Sequence, residues 1–418
     1  MERYESYKGS GVEWIGEIPK EWAVKKLKYI LSISNGEGIK SEEIKDFGDY
    51  PVYGGNGLVG YTTEFNNDDD VFVIGRVGAK CGNIRFISGK KWISDNALLA
   101  YASGNSKYIE FFMTALDLNK LANKNAQPLI TSSMIKEQYI FLPPQDEQAA
   151  IANYLDRKTA EIDALIAQKQ RLIELYQEEK TAIINQAVTQ GVAPNVTFKD
   201  TGINWLGEIP EGWEIKKLKY ETYKIGDGIH TTPNYISGTG IFFINGMNLS
   251  GRKISITENT LSVPIGEYEK YKIDLNVGSI LISLNGTIGN LAIYNGEKVI
   301  FGKSAAYIEI KEKIYNLFLY YALQTQYVLN YFEDSFSGTT IKNLSLHTLR
   351  NTPLPLPSIC DQQSIVQLIE TEIARVDAKI AKTQHIIELQ KEYRTALISE
   401  VVTGKIKVSH LLDKEMAL

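Results

Sequence analysis

The chain has 418 residues, of which 44% are hydrophobic and 23% charged, with a formal net charge of −5. That length gives room for two or three domains with cores of their own, and the composition is that of an ordinary globular protein. With two cysteines, Cys81 and Cys360, far apart in sequence, a disulfide framework and a zinc knuckle are both excluded, and a reducing cytoplasm is the expected setting.

In chain order, the opening Met1-Glu2-Arg3-Tyr4-Glu5-Ser6 lacks the basic-then-apolar layout of a secretory signal. The stretch GVEWIGEIPKEWAVKKLKY (Gly11–Tyr29) follows, with Trp14 and Trp22 around a Gly-x-Ile-Pro turn that leads into a half-apolar strand. It reads as the start of a domain, predicted over residues 1–143. Inside it, the strand-like Val71-Phe72-Val73-Ile74 runs into a glycine-bracketed turn carrying Arg76, Lys80 and Asn83, then into a second strand, Ile84–Ile87. Glycine removes side-chain bulk and lets a backbone approach a groove. Arg and Lys suit guanine edges, and Asn or Gln suits adenine. Gly54 and Asn56 of Tyr53-Gly54-Gly55-Asn56, together with Gln127 and Ser132, join Arg76, Lys80 and Asn83 as candidate DNA contacts. Ordinary hairpin turns with solvated tips would carry the same residues.

A long helix is predicted next, over 144–194. From Leu142 to Thr189 no glycine occurs, and the prolines sit at its start, Pro143-Pro144, where a helix can begin. Such a helix would run roughly 65 Å. Leu155, Thr159, Ile162, Ile166, Lys169, Ile173, Tyr176, Lys180, Ile183 and Ala187 alternate steps of four and three, a coiled-coil seam with polar interruptions that fix register.

The chain then repeats itself. GINWLGEIPEGWEIKKLKY (Gly202–Tyr220) echoes Gly11–Tyr29, opening a second domain predicted over 195–357. Ile280-Leu281-Ile282 leads into a turn with Asn285 and Thr287, then Leu291–Tyr294. His230, Thr231, Asn234, Asn248, Arg252, Thr339 and Lys342 complete the candidate contacts of this domain. Ser/Thr-rich loops suit phosphate contacts, which position without specifying. A second helix, predicted over 358–408 and followed by a tail at 409–418, matches the first at a constant offset. Gln362 stands for Gln148 and Asp377 for Asp163, and a seam runs from Ile369 through Val376 to Val401. Ser358 and Asp361 have the spacing of a capping box. Neither helix can hide its stripe alone, so the two are expected to pack antiparallel. The predicted fold is α+β: two globular α/β domains separated by two long antiparallel helices in a coiled coil, with internal pseudo-twofold symmetry.

In this order the motifs resemble the specificity subunits of type I restriction–modification enzymes, over nearly the whole chain. The resemblance rests on W-x-G-E-I-P-x-x-W in both halves and on LPPQDEQAAI at 142–151 with its echo at 356–365. It implies two target-recognition domains, each reading one half of an asymmetric split site on double-stranded DNA. The half-sites would lie about one helical turn apart, or roughly 34 Å. It also implies helices that fix the gap and dock two methyltransferase subunits, through which restriction and translocation subunits join. S-adenosylmethionine, ATP and Mg are then expected on those partners, with no cofactor on this chain and no membrane contact. The second copy departs from the pattern, with Ser358-Ile359-Cys360 where the first has Pro144-Gln145-Asp146, which implies weakened or skewed docking of the second methyltransferase.

Residues 1–140 and 199–357 carry net charges of −1 and 0, and the excess acid lies mainly in 141–198 at −3. Weak intrinsic DNA affinity follows, with partners adding phosphate contacts. Catalytic motifs are missing. Gly302-Lys303-Ser304 looks like a phosphate-binding loop, but Gly296 is one residue too far upstream and the following Ala305–Ile310 reads as strand. His230, His347, His385 and His410 lack metal spacing. The 24 tyrosines offer stacking surfaces but fit core positions as well. Two other readings stand beside DNA recognition: a scaffold whose domains no longer read DNA, and an enzyme with an unrecognised site.

Overall fold

A computed structural model of the chain describes residues 3–12, 15–78, 80–122, 128–203, 205–336 and 342–408. They form two compact units: residues 1–170 with 384–418, and residues 171–383. The division falls within both long helices, Gln145–Gln190 and Ile359–Val402. Among the described residues no helix is long and apolar enough to cross a membrane.

The first unit opens with strand Tyr7–Gly9 antiparallel to Glu17–Pro19. Strand Ala23–Lys26 then pairs with Tyr139–Leu142, so the first and last parts of the domain meet in one ladder. Between them lies a four-stranded antiparallel sheet in the order Leu31–Asn35, Ala97–Ala102, Val71–Gly75, Ile84–Ile87. Side chains alternate across a strand with period two, and both faces of this sheet are covered. Phe72, Ile74, Leu98 and Ala100 enter the main core with Tyr108, Ile109 and Phe112 of helix Ser106–Leu116. Val71, Val73, Ala97 and Leu99 face the other way, packing with Ile93. Lys91 is fully buried, and its ammonium donates to the carbonyls of Asp69 at 2.7 Å and Gly89 at 2.5 Å. The acidic run Asp68-Asp69-Asp70 is solvated, as its sequence suggests, yet its backbone is fastened from within.

The second unit repeats this plan. Phe198–Asp200 pairs with Glu208–Pro210, and Glu214–Lys217 pairs with Pro353–Leu356. Its four-stranded sheet has the matching order Thr222–Asp227, Ala305–Ile310, Ile280–Ser283, Leu291–Ile293. Ile280, Ile282, Ala306 and Ile308 enter the main core, whereas Leu281, Ala305 and Tyr307 face a smaller cluster with Ile244.

The two long helices have 46 and 44 residues. All ten positions of the first helix's seam are buried or half-buried, as are the matching positions of the second. Within the first unit, Arg394 Nη2 donates to Asp163 Oδ2 at 3.1 Å. Within the second, Lys180 Nζ donates to Asp377 Oδ1 at 2.7 Å, and Lys379 lies 3.3 Å from Glu179. Asp377 and Arg394 are the repeats of Asp163 and Lys180, so one ion pair occurs twice with its partners exchanged between helices. Only an antiparallel pairing of two like sequences does this. Such pairs are half-exposed and contribute about 0.2–1 kcal/mol each. The apolar seam supplies most of the stability, and the ions set its register.

Helix ends follow the same duplication. Gln148 and Gln362, both buried, donate Nε2 to the carbonyls of Pro143 and Pro357 at 2.8 and 3.0 Å, tying each helix start to its lead-in. Ser358 Oγ accepts from Asp361 N at 3.2 Å. The return bond of the expected capping box runs between the side chains, Ser358 Oγ to Asp361 Oδ2 at 2.7 Å, because Asp is too short to reach back to the backbone. At the other ends, Gly191 (φ +74°) and Gly404 (φ +73°) follow the last turns in left-handed geometry. Each lies against a tryptophan of its own unit. A Cβ on Gly191 would stand 2.9 Å from Trp213, and one on Gly404 would stand 2.3 Å from Pro19 and 3.3 Å from Trp22. The repeated Ile-Pro-x-x-Trp is thus the seat on which a helix end docks.

Gly404→Ala is therefore expected to destabilise the protein by about 2–4 kcal/mol, combining left-handed strain with overpacking. Gly266→Ala, in a helix with open space around the new Cβ, should be neutral or slightly stabilising. Denaturant unfolding of both variants checks the contrast.

Candidate nucleic-acid interface

In each domain one end of the four-stranded sheet gathers several of the polar residues singled out by sequence around a four-residue turn. In the first unit this turn is Ser94-Asp95-Asn96-Ala97, closed by Ala97 N to Ser94 O at 3.0 Å. It is held from two sides: Ser94 N donates to Tyr53 O at 2.8 Å, and Arg76 N donates to Asn96 O at 3.0 Å. The hairpin tip Gly54-Gly55-Asn56-Gly57 leans on the same place. A Cβ on Gly55 would stand 2.8 Å from Asn96 O and 3.2 Å from Val77 O, so only glycine permits this approach. Ile130 N bonds Arg76 O at 2.9 Å and Gly78 N bonds Pro128 O at 3.0 Å, bringing the segment that leads to Ser132 alongside. Gly54, Asn56, Arg76, Lys80, Asn83 and Ser132 therefore belong to one constellation. Asn56, Lys80 and Asn83 are exposed, Arg76 and Ser132 are half-buried, and Gly54 is buried and serves the tip's backbone.

The second unit builds the same turn from Gly302-Lys303-Ser304-Ala305. Ala305 N bonds Gly302 O at 3.0 Å, Gly302 N bonds Ile244 O at 2.8 Å, and Leu284 N bonds Ser304 O at 2.9 Å. Asn245 and Gly246 take the part of the hairpin tip: Ser304 Oγ donates to Asn245 Oδ1 at 3.0 Å and accepts from Gly246 N at 3.0 Å. Asn285 bridges to Asn343, placing Lys342 alongside, and exposed Thr287 sits in the adjoining turn. His230 follows Ile229, which pairs with Gly302.

Several candidates are engaged elsewhere. Arg252 is not at this end of the sheet. Its guanidinium bonds Glu370 on the second long helix and the Tyr321 hydroxyl, and it lies 5.3 Å from the Tyr320 ring centre. Its left-handed backbone (φ +71°) aims it inward. Arg252 is thus bonded within its own unit, to the second long helix and to Tyr321. Asn248 stands near the turn, but its Oδ1 accepts from Asn245 N at 2.9 Å and its Nδ2 donates to Ser255 O at 3.2 Å. Asn234 donates to Glu267 at 3.1 Å, whereas His230 and Lys342, 2.9 Å from Asp227 and 4.0 Å from Glu333, keep their side chains exposed. Thr231 is exposed beside Asn234's segment. Gln127 and Thr339 lie outside the described residues.

Sequence reading missed the turn itself. Asp95 and Lys303 occupy its exposed second position in the two domains, and Gly302-Lys303-Ser304 reads in sequence only as an incomplete phosphate loop. A signal was present: in both domains a short apolar strand ends at the turn, and a strand beginning with Ala97 or Ala305 leaves it.

The helix starts differ in a way the Ser358-Ile359-Cys360 departure foreshadows. In the first unit Glu147 accepts from the Tyr4 hydroxyl at 2.5 Å and from Trp22 Nε1 at 3.2 Å. Burial, reinforced by the bond to Glu147, pushes the Tyr4 phenol well above its ordinary value. Tyr4, Trp22, Glu147 and Lys407 border a cavity of about 600 Å³. The repeat of Glu147 is Asp361, which bonds Ser358 instead.

The family profile described as type I restriction modification DNA specificity domain matches residues 19–175 and 210–389. The MjaX chain of Methanocaldococcus jannaschii, a provisionally assigned type I restriction enzyme specificity subunit, is 26% identical over 94% of this chain and 96% of its own. The type I restriction enzyme MjaVIII specificity subunit of the same organism is 24% identical over 94% and 95%. A solved structure described as showing complex assembly and conformational transition of the type I restriction–modification system shares the fold. Its TM-score is 0.67 at 14% identity, covering 93% of this chain and 99% of that one.

Arg252→Ala should lower stability while leaving DNA preference unchanged. Glu370 refines the test. The hydrogen bond from Arg252 holds its carboxyl below the usual glutamate range, so the pair stabilises above the unfolded pKa of about 4.3. That stabilisation is lost as pH falls through the lower folded value. Glu370→Gln should cost on the order of 1 kcal/mol at pH 7 after allowance for solvent screening, and the difference should vanish in acid. Thermal melts of both proteins across pH 7 to 3 check this.

Proposed function

Since the chain belongs to the type I restriction–modification specificity-subunit family, we propose that each of its two units reads one half of an asymmetric, bipartite DNA site. The observation that carries this reading is the duplicated turn, presented by the same sheet end in both units but surrounded by different side chains. Identical scaffolds with different tips suit two different half-sites. Asn56, Arg76, Lys80, Asn83 and Ser132 serve the first half; Asn285, Thr287, His230, Thr231 and Lys342 serve the second. Amide and guanidinium groups supply base-edge contacts, and hydroxyls supply phosphate contacts.

The long helices fix the number of base pairs between the half-sites and dock two methyltransferase subunits. Chemistry on the DNA, with S-adenosylmethionine, ATP and Mg, belongs to those partners and to the restriction and translocation subunits that join through them. Near-neutral domains match this division: the chain contributes selectivity, and the assembled complex contributes most phosphate contacts.

Removing one heptad from each long helix keeps the seam in phase. The preferred gap should then shorten, or modification should cease, with half-site preference unchanged. Altered half-sites would contradict the helices' role as spacer. A second test separates recognition from scaffolding. The complex with its methyltransferase should bind DNA with a steep salt dependence and prefer its own site; assembly without either property would support a scaffold.

A further inference from the structure

Resting on the reading of each unit as a half-site reader, we infer that Asp95 and Lys303 are specificity-determining residues. Asp95 accepts from a cytosine amino group in one half-site, and Lys303 donates to guanine in the other.

The two residues hold the same position in superposable hydrogen-bond patterns. Each follows the first residue of a turn closed by a 3.0 Å bond, and each turn is fastened to two neighbouring segments by backbone bonds of 2.8 to 3.0 Å. Glycines let a third segment crowd in. A Cβ on Gly36 would stand 2.1 Å from Ser94 O, and one on Gly228 would stand 1.9 Å from Phe301 O. The backbone beneath each tip is therefore rigid, and presenting it to a ligand costs little ordering entropy. Both side chains are exposed and have no partner among the described residues, whereas the candidates Arg252, Asn234 and Asn248 of the second domain are all engaged.

Chemistry then separates them. A carboxylate at the centre of a DNA-facing tip is repelled by phosphate and must find a donor. In the major groove the donors are base amino groups, and a carboxylate pairs best with cytosine N4. An ammonium on a fixed tip finds the O6 and N7 acceptors of guanine. The charge reversal between otherwise equivalent turns would make the two half-sites unlike, whatever the remaining contacts contribute.

The test uses the full chain in complex with its methyltransferase, selecting bound duplexes from a randomised DNA library that are then sequenced. Wild type, Asp95→Ala, Lys303→Met and Lys303→Arg are compared, with copurification of the complex as the control for folding. Asp95→Ala should relax one G·C pair in one half-site, losing about tenfold discrimination there. Lys303→Met should relax one G·C pair in the other half to a similar extent, and Lys303→Arg should keep it. The gap and the unaltered half stay as in wild type. Motifs identical to wild type in Asp95→Ala and Lys303→Met overturn the inference. So does uniformly weaker binding with no position relaxed, which marks phosphate contact. Failure of the wild-type complex to select any bipartite motif overturns instead the half-site reading on which the inference rests.

Discussion

An uninterrupted helix of more than forty residues cannot bury its apolar stripe against its own domain, and most of this chain's design follows from that. The stripe needs a second helix of equal length and matching phase. Here the second is a repeat of the first, and an antiparallel repeat lets one contact occur twice. Asp163 with Arg394 and Asp377 with Lys180 are the visible record. Polar positions within the seam weaken it locally, but they select one register from the several that an all-apolar stripe would permit.

Duplication of the helix brings duplication of its ends. Each helix end needs its last carbonyls satisfied and its final turn covered, and in both units a glycine in left-handed geometry meets the tryptophan of the Ile-Pro-x-x-Trp motif. Each unit is therefore assembled from one domain and from parts of both helices, and the first unit joins residues far apart in sequence. The sheet within each domain is buried on both faces, which leaves its loop-bearing end as the place where sequence can vary without loss of core. There the two domains carry different polar residues while the backbone bonds of the central turn stay the same.

Much of this was legible from residues alone. The helices declared themselves through steps of three and four and through the absence of glycine and proline. The repeat was plain from Trp22 with Trp213 and Gln148 with Gln362. Strands Val71–Gly75 and Ile280–Ser283 were recognisable because apolar runs end there in glycine-bracketed turns. What stayed hidden depends on contacts between distant segments. The Asp95 and Lys303 turns are defined by backbone bonds from Tyr53, Arg76, Ile244 and Leu284, which no local pattern reports. Arg252, beside Gly251, reads in sequence as a candidate DNA contact, yet its partner Glu370 lies 118 positions away. Lys91 is a charged residue in a polar stretch, and only the fold shows that it is sealed in.

Half-site reading is tested most directly by a methylation map of DNA from cells expressing this chain with a methyltransferase subunit, modified adenines being located by single-molecule sequencing. It predicts one asymmetric motif with two short specified halves and a constant unspecified gap. A complex that assembles yet leaves no bipartite motif on the DNA would contradict it.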